Sequence, residues 1–295
     1  MTVRDEAEIE ASRAPLMDHL IELRGRLVWC VVAFILAFIL CFFFAAQLQV
    51  ELIKPFQAAA AVHADAVARG AHGNPLDLLA IAMGLKPLPP GGLAAVELIA
   101  TAPLEQLFTK MKIAGFGAIV LSFPVIAYQL YAFVAPGLYR NEKGAFLPFL
   151  IATPVMFFLG GALVYYVMLP FVMLFSLSQQ ISSEGITVML TTKISDYLNL
   201  VTSLILAFGL CFQLPVVTTL LGMAGLISSK LMSEGRRYAI VAVVVLAAIV
   251  TPPDPISQLM LAVPLVLLYE VSIWCVRLIE WRRRTDEDNE GLAAA

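Results

Sequence analysis

The apolar residues of this chain come in long unbroken runs, and the polar ones gather between them. Leu27–Gln47 holds no charge at all, and Ile113–Ala135 is a second such run between Lys112 and Arg140. A third opens after Lys143 and meets no charge until Glu184, too long for one crossing. Pro170 divides it into a span, Gly144–Leu169, and an apolar tail that lies at the membrane surface or packs on the protein. The fourth is Tyr197–Ile227. A hydrocarbon core about 30 Å thick needs about 20 apolar helical residues, so each of these four can cross.

The fifth and sixth runs are short. Tyr238–Thr251 gives only about 21 Å of helix. Ile256–Val276 is interrupted by Glu270, and Thr251-Pro252-Pro253-Asp254-Pro255 between the two runs cannot be helix interior. They are two thin spans that need local bilayer thinning, or a re-entrant hairpin. Both arrangements put the flanking Arg236–Arg237 and Arg282–Arg284 on one side; two short spans is the preferred expectation. Thirteen of the nineteen Lys and Arg residues then fall on one face, with the N-terminus, the loop after span two, the loop after span four and the C-terminus. By the positive-inside rule that face is cytoplasmic.

Outside the spans, the pattern changes character. Residues 1–15 form an acidic tail, expected to be disordered and without a cleavable leader's apolar core. Leu16, Leu20, Leu23 and Leu27 make one helical stripe, with Asp18, His19, Glu22 and Arg26 around it, so an interfacial helix should run into span one. The connection 48–105 is enlarged. It holds an Ala-rich helix over Lys54–Arg69 stopped by Gly70, a Pro-Gly loop at Lys86–Gly92, and a stripe at Leu104, Leu107, Phe108 and Met111 that reads as a surface helix bending into span two. A membrane body over 16–278 and a charged tail over 279–295 complete the organisation. Pro124, Pro154, Pro215 and Pro264 each fall inside a span and predict kinked helices and a curved body.

Composition agrees with this reading. Of 295 residues 60% are hydrophobic and 14% charged, against about 45–50% and about 25% in soluble domains. The formal net charge of −3 gives no reason to expect nucleic acid. Cys30, Cys41, Cys211 and Cys275 all lie in apolar runs and read as small buried hydrophobes. No hydrolase or ATPase motif occurs, and no Ser–His or Cys–His pair can be placed within the bilayer, so the chain is not read as an enzyme. No metal or cofactor is expected.

Few polar groups are left to carry function. Gln213, deep in span four, either bonds a backbone carbonyl freed by Pro215 or meets another membrane helix. Glu270 snorkels or pairs, a structural role. Glu22 and Glu142 sit near the cytoplasmic headgroups. Pattern alone favours solvated carboxylates paired with a neighbouring Arg or Lys. The alternative is an acidic surface that receives a basic peptide, for which the arginine fork is suited.

In their order along the chain these features resemble the TatC family, receptor subunits of the twin-arginine protein translocase. The segment His19–Leu27 resembles the family's opening HLxELRxRL, and Ser122–Gln129 with Phe133–Tyr139 resembles the end of its second helix. Glu142 falls at the acidic residue of its first cytoplasmic loop. Phe208-Gly209 with Phe212–Pro215 resembles its fourth helix, and Thr251–Asp254 its last extra-cytoplasmic turn.

The resemblance covers about residues 16–278 and implies an all-α, glove-shaped polytopic membrane protein of six helices, with short fifth and sixth helices and both termini cytoplasmic. It implies a bacterial inner-membrane location, TatB-like and TatA-like single-span partners, self-association, and export of folded proteins driven by the proton-motive force. Glu22, Arg24 and Glu142 become candidates for binding the twin-arginine signal peptide, with Arg140 and Phe133 beside them. Gln213 becomes a polar contact on the concave face or toward a partner helix, and Asp254 a turn residue. Some members carry glutamate at the position of Gln213, so a titratable group there is not assumed. The runner-up reading is a proton-coupled secondary transporter or channel, which would show ionisable groups deep in its spans.

Overall fold

In a computed structural model, residues 3–69, 75–87, 98–138, 143–179, 181–183, 186–188, 192–250 and 255–293 are described. Helices dominate: α1 (Val3–Phe43), α2 (Ala45–Ala68), α3 (Pro75–Ala82), α4 (Glu105–Leu138), α5 (Lys143–Leu163), α6 (Leu169–Ser178), α7 (Ile194–Cys211), α8 (Leu214–Met223), α9 (Ser229–Val250) and α10 (Pro255–Ala293). A π turn, Val164–Met168, joins α5 to α6. Four short strands among the described residues were not anticipated from the pattern: β1 (Leu98–Ile99) pairs in parallel with β4 (Thr192–Lys193), and β2 (Ile181–Ser183) with β3 (Ile186–Val188) antiparallel.

Several boundaries differ from the expectations. Helix α1 runs back through the acidic segment to Val3, and α10 runs forward to Ala293. Both flanks are rich in Glu, Ala and Arg, good helix formers that extend an existing helix cheaply. The stripe before span two is not a separate surface helix. It lies in the opening turns of α4, and Leu107, Phe108 and Met111 are exposed along it. Pro170 does not break its helix: it sits in the first turn of α6, where a missing N–H costs little, and the π turn takes up the strain. The apolar tail packs on the protein, with α6 against α2. The Ala-rich helix ends at Ala68 as expected, and it begins at Ala45, directly after the break at Phe44.

Among the described residues, five helical stretches are long and apolar enough to span a membrane: 20–43, 105–133, 148–178, 194–223 and 258–282. Together α7 and α8 form the fourth of them, divided at Phe212-Gln213 beside Pro215. Pro124, Pro154 and Pro264 stay inside continuous helices, so only one of the four prolines interrupts its helix. Helix α9 opens with Glu234, Arg236 and Arg237 and falls short of the other five in apolar length. It pairs antiparallel with α10 through Arg236–Glu270 at 2.6 Å, Tyr269 to the Met232 carbonyl at 2.8 Å, and Gln258 to the Val244 carbonyl at 3.2 Å. Glu270 is therefore a paired structural carboxylate, as anticipated.

The main core lies between α2, α6 and α7, around Phe56, Leu52, Leu169, Val172, Val201 and Leu204. Pro55 inside α2 removes the N–H that would have bonded the Glu51 carbonyl, and its ring crowds that turn. Two tyrosines from other helices satisfy the opened turn. Tyr165 donates to the Glu51 carbonyl and Tyr197 to the Leu52 carbonyl, each at 2.8 Å. Tyr197 is buried and its ring stacks on Phe56 at 5.3 Å. A second tight contact joins α5 to α7. A Cβ on Gly160 would lie 2.8 Å from the Phe208 carbonyl oxygen, and one on Gly209 2.6 Å from the Phe157 ring. Both positions need glycine because the two helices approach so closely.

Candidate recognition site

The register between α1 and α4 brings the first set of candidates together. Arg26 Nη1 lies 3.5 Å from Gln129 Oε1. Further along, Gly117 of α4 faces Cys41 Sγ so closely that a Cβ would stand 2.9 Å from it. The two helices are thus antiparallel, and numbers rising on one fall on the other. Continued toward the helix ends, that register sets Glu22 at the level of Phe133, one turn beyond Gln129. The α4–α5 connection, 139–142, follows directly at the same end. Arg140 and Glu142 themselves lie outside the described residues, as does Asp254 in the α9–α10 connection.

Glu22 is exposed and bound to Arg26, whose Nη2 and Nε donate to its Oε1 at 2.6 and 3.0 Å. The pair is an i, i+4 contact on one helix face, a geometry in which an exposed ion pair contributes little. Gln129 continues the chain of polar contacts onto α4. Arg24 is exposed, and two residues past Glu22 it stands about 200° round the helix, so the fold does not bring these two together. Phe133 is half-buried.

Arg26 and Gln129 escaped the sequence reading as site members. The Glu22–Arg26 spacing was a signal that could have found the first. Gln129 could not be found, because the register between two helices is not written in either one.

Gln213 is occupied by its own fold. Its Nε2 donates to the Thr153 carbonyl at 3.0 Å and to the Gly209 carbonyl at 3.4 Å. The second bond has a local cause. Ahead of Pro215 the backbone N–H of Gln213 turns to the Leu210 carbonyl, leaving the Gly209 carbonyl without its usual helical donor. One bond thus reaches a carbonyl left open in its own turn, and the shorter one crosses to α5, a neighbouring apolar helix. Its Oε1 is buried without a partner among the described residues.

At the opposite end of the same helices sits a carboxylate the sequence reading passed over. Glu105, in the first turn of α4, accepts from the Thr101 and Ala102 backbone N–H groups at 2.6 and 3.1 Å through Oε2. Its Oε1 accepts from Ser195 Oγ at 2.6 Å, across to α7. With the β1–β4 pairing, it ties the segment before α4 to the segment before α7.

The family model of the Sec-independent protein translocase protein TatC matches residues 18–264 of the chain. The chain is 39% identical to the Sec-independent protein translocase protein TatC of Magnetococcus marinus over 278 residues, covering 94% of this chain and 89% of that one. It is 32% identical to the protein of the same name from Escherichia coli over 274 residues, covering 93% and 92%. Its fold is similar to a crystal structure of the twin-arginine translocase receptor TatC, with a TM-score of 0.68, 31% identity, and cover of 88% of this chain and 98% of that one.

Proposed function

Because the chain belongs to the TatC family and is a multi-pass membrane subunit of the Sec-independent protein translocase, we propose that its cytoplasmic face binds the paired arginines of a twin-arginine signal peptide. The observation that carries this reading is the antiparallel α1–α4 register, which sets Glu22 at the end of α4 from which Glu142 follows. Two carboxylates on neighbouring segments suit two successive guanidinium groups, each able to form a two-pronged, charge-assisted contact. Phe133 offers the apolar body of the peptide a ring at the same level. Arg140 and Arg24 lie nearby in sequence and set the local charge balance, Arg24 from the far side of α1.

In this reading six helices span the bacterial inner membrane, α9 and α10 being the thin pair, and both termini are cytoplasmic. The basic flanks of α1, α4, α9 and α10 support that orientation. TatB-like and TatA-like single-span proteins complete the translocase, and the proton-motive force drives export of the folded cargo. Asp254 closes the extra-cytoplasmic turn between the thin pair. Gln213, neutral and bonded to two carbonyls, supplies no ionisable group for the transporter alternative.

Complementation tests the function. A strain lacking its own receptor subunit should export a folded twin-arginine reporter when it carries this chain, and lose export when Glu22 and Glu142 are both alanine while the protein still inserts. Full export by that double variant would place recognition elsewhere.

A further inference from the structure

A cavity of about 570 Å³ opens on the side opposite the signal-binding face, and nothing in the translocation reading uses it. Its walls are α2, the π turn and the segment after α3, which opens the Pro-Gly loop expected from Lys86. Its level in the membrane follows from helix length. Tyr166 is about 33 Å along α5 and the π turn from Gly144, the outer edge of a hydrocarbon core about 30 Å thick. The Tyr165 bond to the Glu51 carbonyl holds α2 at that same level. The cavity therefore opens in the headgroup layer, where tyrosine is favoured.

Two ammonium groups reach it from different elements. Lys54 comes from α2, and Lys86 from the turn beyond α3. Gly84, at φ +74°, reverses the chain there, and the N–H groups of Leu85 and Lys86 both return to the Ala80 carbonyl, at 2.8 and 3.2 Å. Each lysine touches one carboxylate, Lys54 with Glu51 at 2.6 Å and Lys86 with Asp77 at 2.8 Å. An ammonium has three donors, so both keep capacity for another acceptor. The charged residues lining the cavity are these two lysines and Glu51; Asp77 on Lys86 brings the four charges into balance, so it is the unused ammonium donors, not a net charge, that offer themselves to a phosphate. Met83 and Leu85 stand exposed beside it, an apolar surface that a soluble anion would not use.

We propose that this cavity seats the phosphate headgroup of an anionic phospholipid from the extra-cytoplasmic leaflet, its acyl chains running down past Met83. The leaflet assignment rests on the orientation proposed above; the lipid chemistry does not. Lys54 and Lys86 hold the phosphate between α2 and the α3 turn. A bound lipid would thereby fasten the enlarged extra-cytoplasmic connection to the membrane surface.

Native mass spectrometry of the purified full-length chain tests this, titrating phosphatidylglycerol against phosphatidylcholine and against inorganic phosphate. The wild type should hold one phosphatidylglycerol in preference to phosphatidylcholine. A Lys54→Gln/Lys86→Gln double variant should bind it about thirtyfold more weakly, since each surface ammonium contributes about fivefold. Lys54→Arg/Lys86→Arg should retain it, and Lys112→Gln/Lys193→Gln, at the other extra-cytoplasmic cluster, should leave it unchanged. Equal phosphatidylglycerol retention by the glutamine variant overturns the proposal. So does displacement of the lipid by millimolar phosphate, which would assign the site to a free anion. The orientation is read separately: labelling of the Lys86→Cys variant from the cytoplasmic side would refute the leaflet while leaving the lipid result standing.

Discussion

Two glutamates at opposite ends of this bundle have the same chemistry and opposite situations. Glu105 accepts from two backbone N–H groups and two hydroxyls, and these come from its own helix start and from α7. Glu22 is held by Arg26, a flexible neighbour on the same helix face. Exchanging Arg26 for another guanidinium would cost Glu22 little, whereas Glu105 cannot let go of its partners without loosening the joint between α4 and α7. A carboxylate fixed by backbone donors holds a fold together. An exposed ion pair along one helix face contributes little to it. The difference gives Glu105 a structural part and is consistent with the recognition role proposed for Glu22.

Substitutions can break this contrast, and the largest effect is expected at Glu22. Glu22→Gln removes a charge-assisted contact of about 1.5–3 kcal/mol, so a twin-arginine peptide should bind roughly tenfold to a hundredfold more weakly by titration. The thermal midpoint of the variant should stay where it was. A fall in both together would make Glu22 structural and erase the contrast.

The middle of the membrane comes next. Gly160→Ala forces a methyl group against the Phe208 carbonyl and should destabilise the chain by about 1–3 kcal/mol, read as a lower thermal midpoint, with peptide affinity of the folded fraction unchanged. Tyr197→Phe strands the buried Leu52 carbonyl turn and should cost about 1–3 kcal/mol in the same assay. Tyr165→Phe, at the more exposed Glu51 carbonyl, should cost less. Glu105→Gln should lower the midpoint while leaving the peptide titration alone; an altered peptide affinity would show that the two ends are coupled. The smallest effect belongs to Arg26→Gln, a stability change of about 0.5 kcal/mol or less, with no loss of peptide binding. Strong loss of binding there would make Arg26 a ligand rather than a placeholder for one.

Much of this arrangement was legible in the chain. The uncharged runs gave the long spans, Pro215 the break between α7 and α8, and Gly70 the end of α2. The paired Glu270 and the bond from Gln213 to a backbone carbonyl were also anticipated, since a lone polar group in an apolar run has few ways to be satisfied. What escaped was whatever depends on which helices meet. The tyrosines at 165 and 197 read as apolar-run residues until Pro55 is seen to open the turn they bond. Glu105 was passed over, because its partner Ser195 arrives from 90 residues away. The π turn had no signal beyond Pro170. Gln129 and Arg26 form one contact only because α1 and α4 adopt one antiparallel register. Local pattern predicts elements and their breaks, and the proposed site depends on their alignment.

Site-specific photo-crosslinking addresses the central claim most directly. A photoreactive residue at position 133, at the level of Glu22, should trap a twin-arginine signal peptide and lose it when both arginines become lysine, because an ammonium cannot make the two-pronged carboxylate contact. Glu22→Gln should abolish the difference between the two peptides. Equal trapping of the arginine and lysine peptides by the unaltered protein would contradict recognition by these carboxylates.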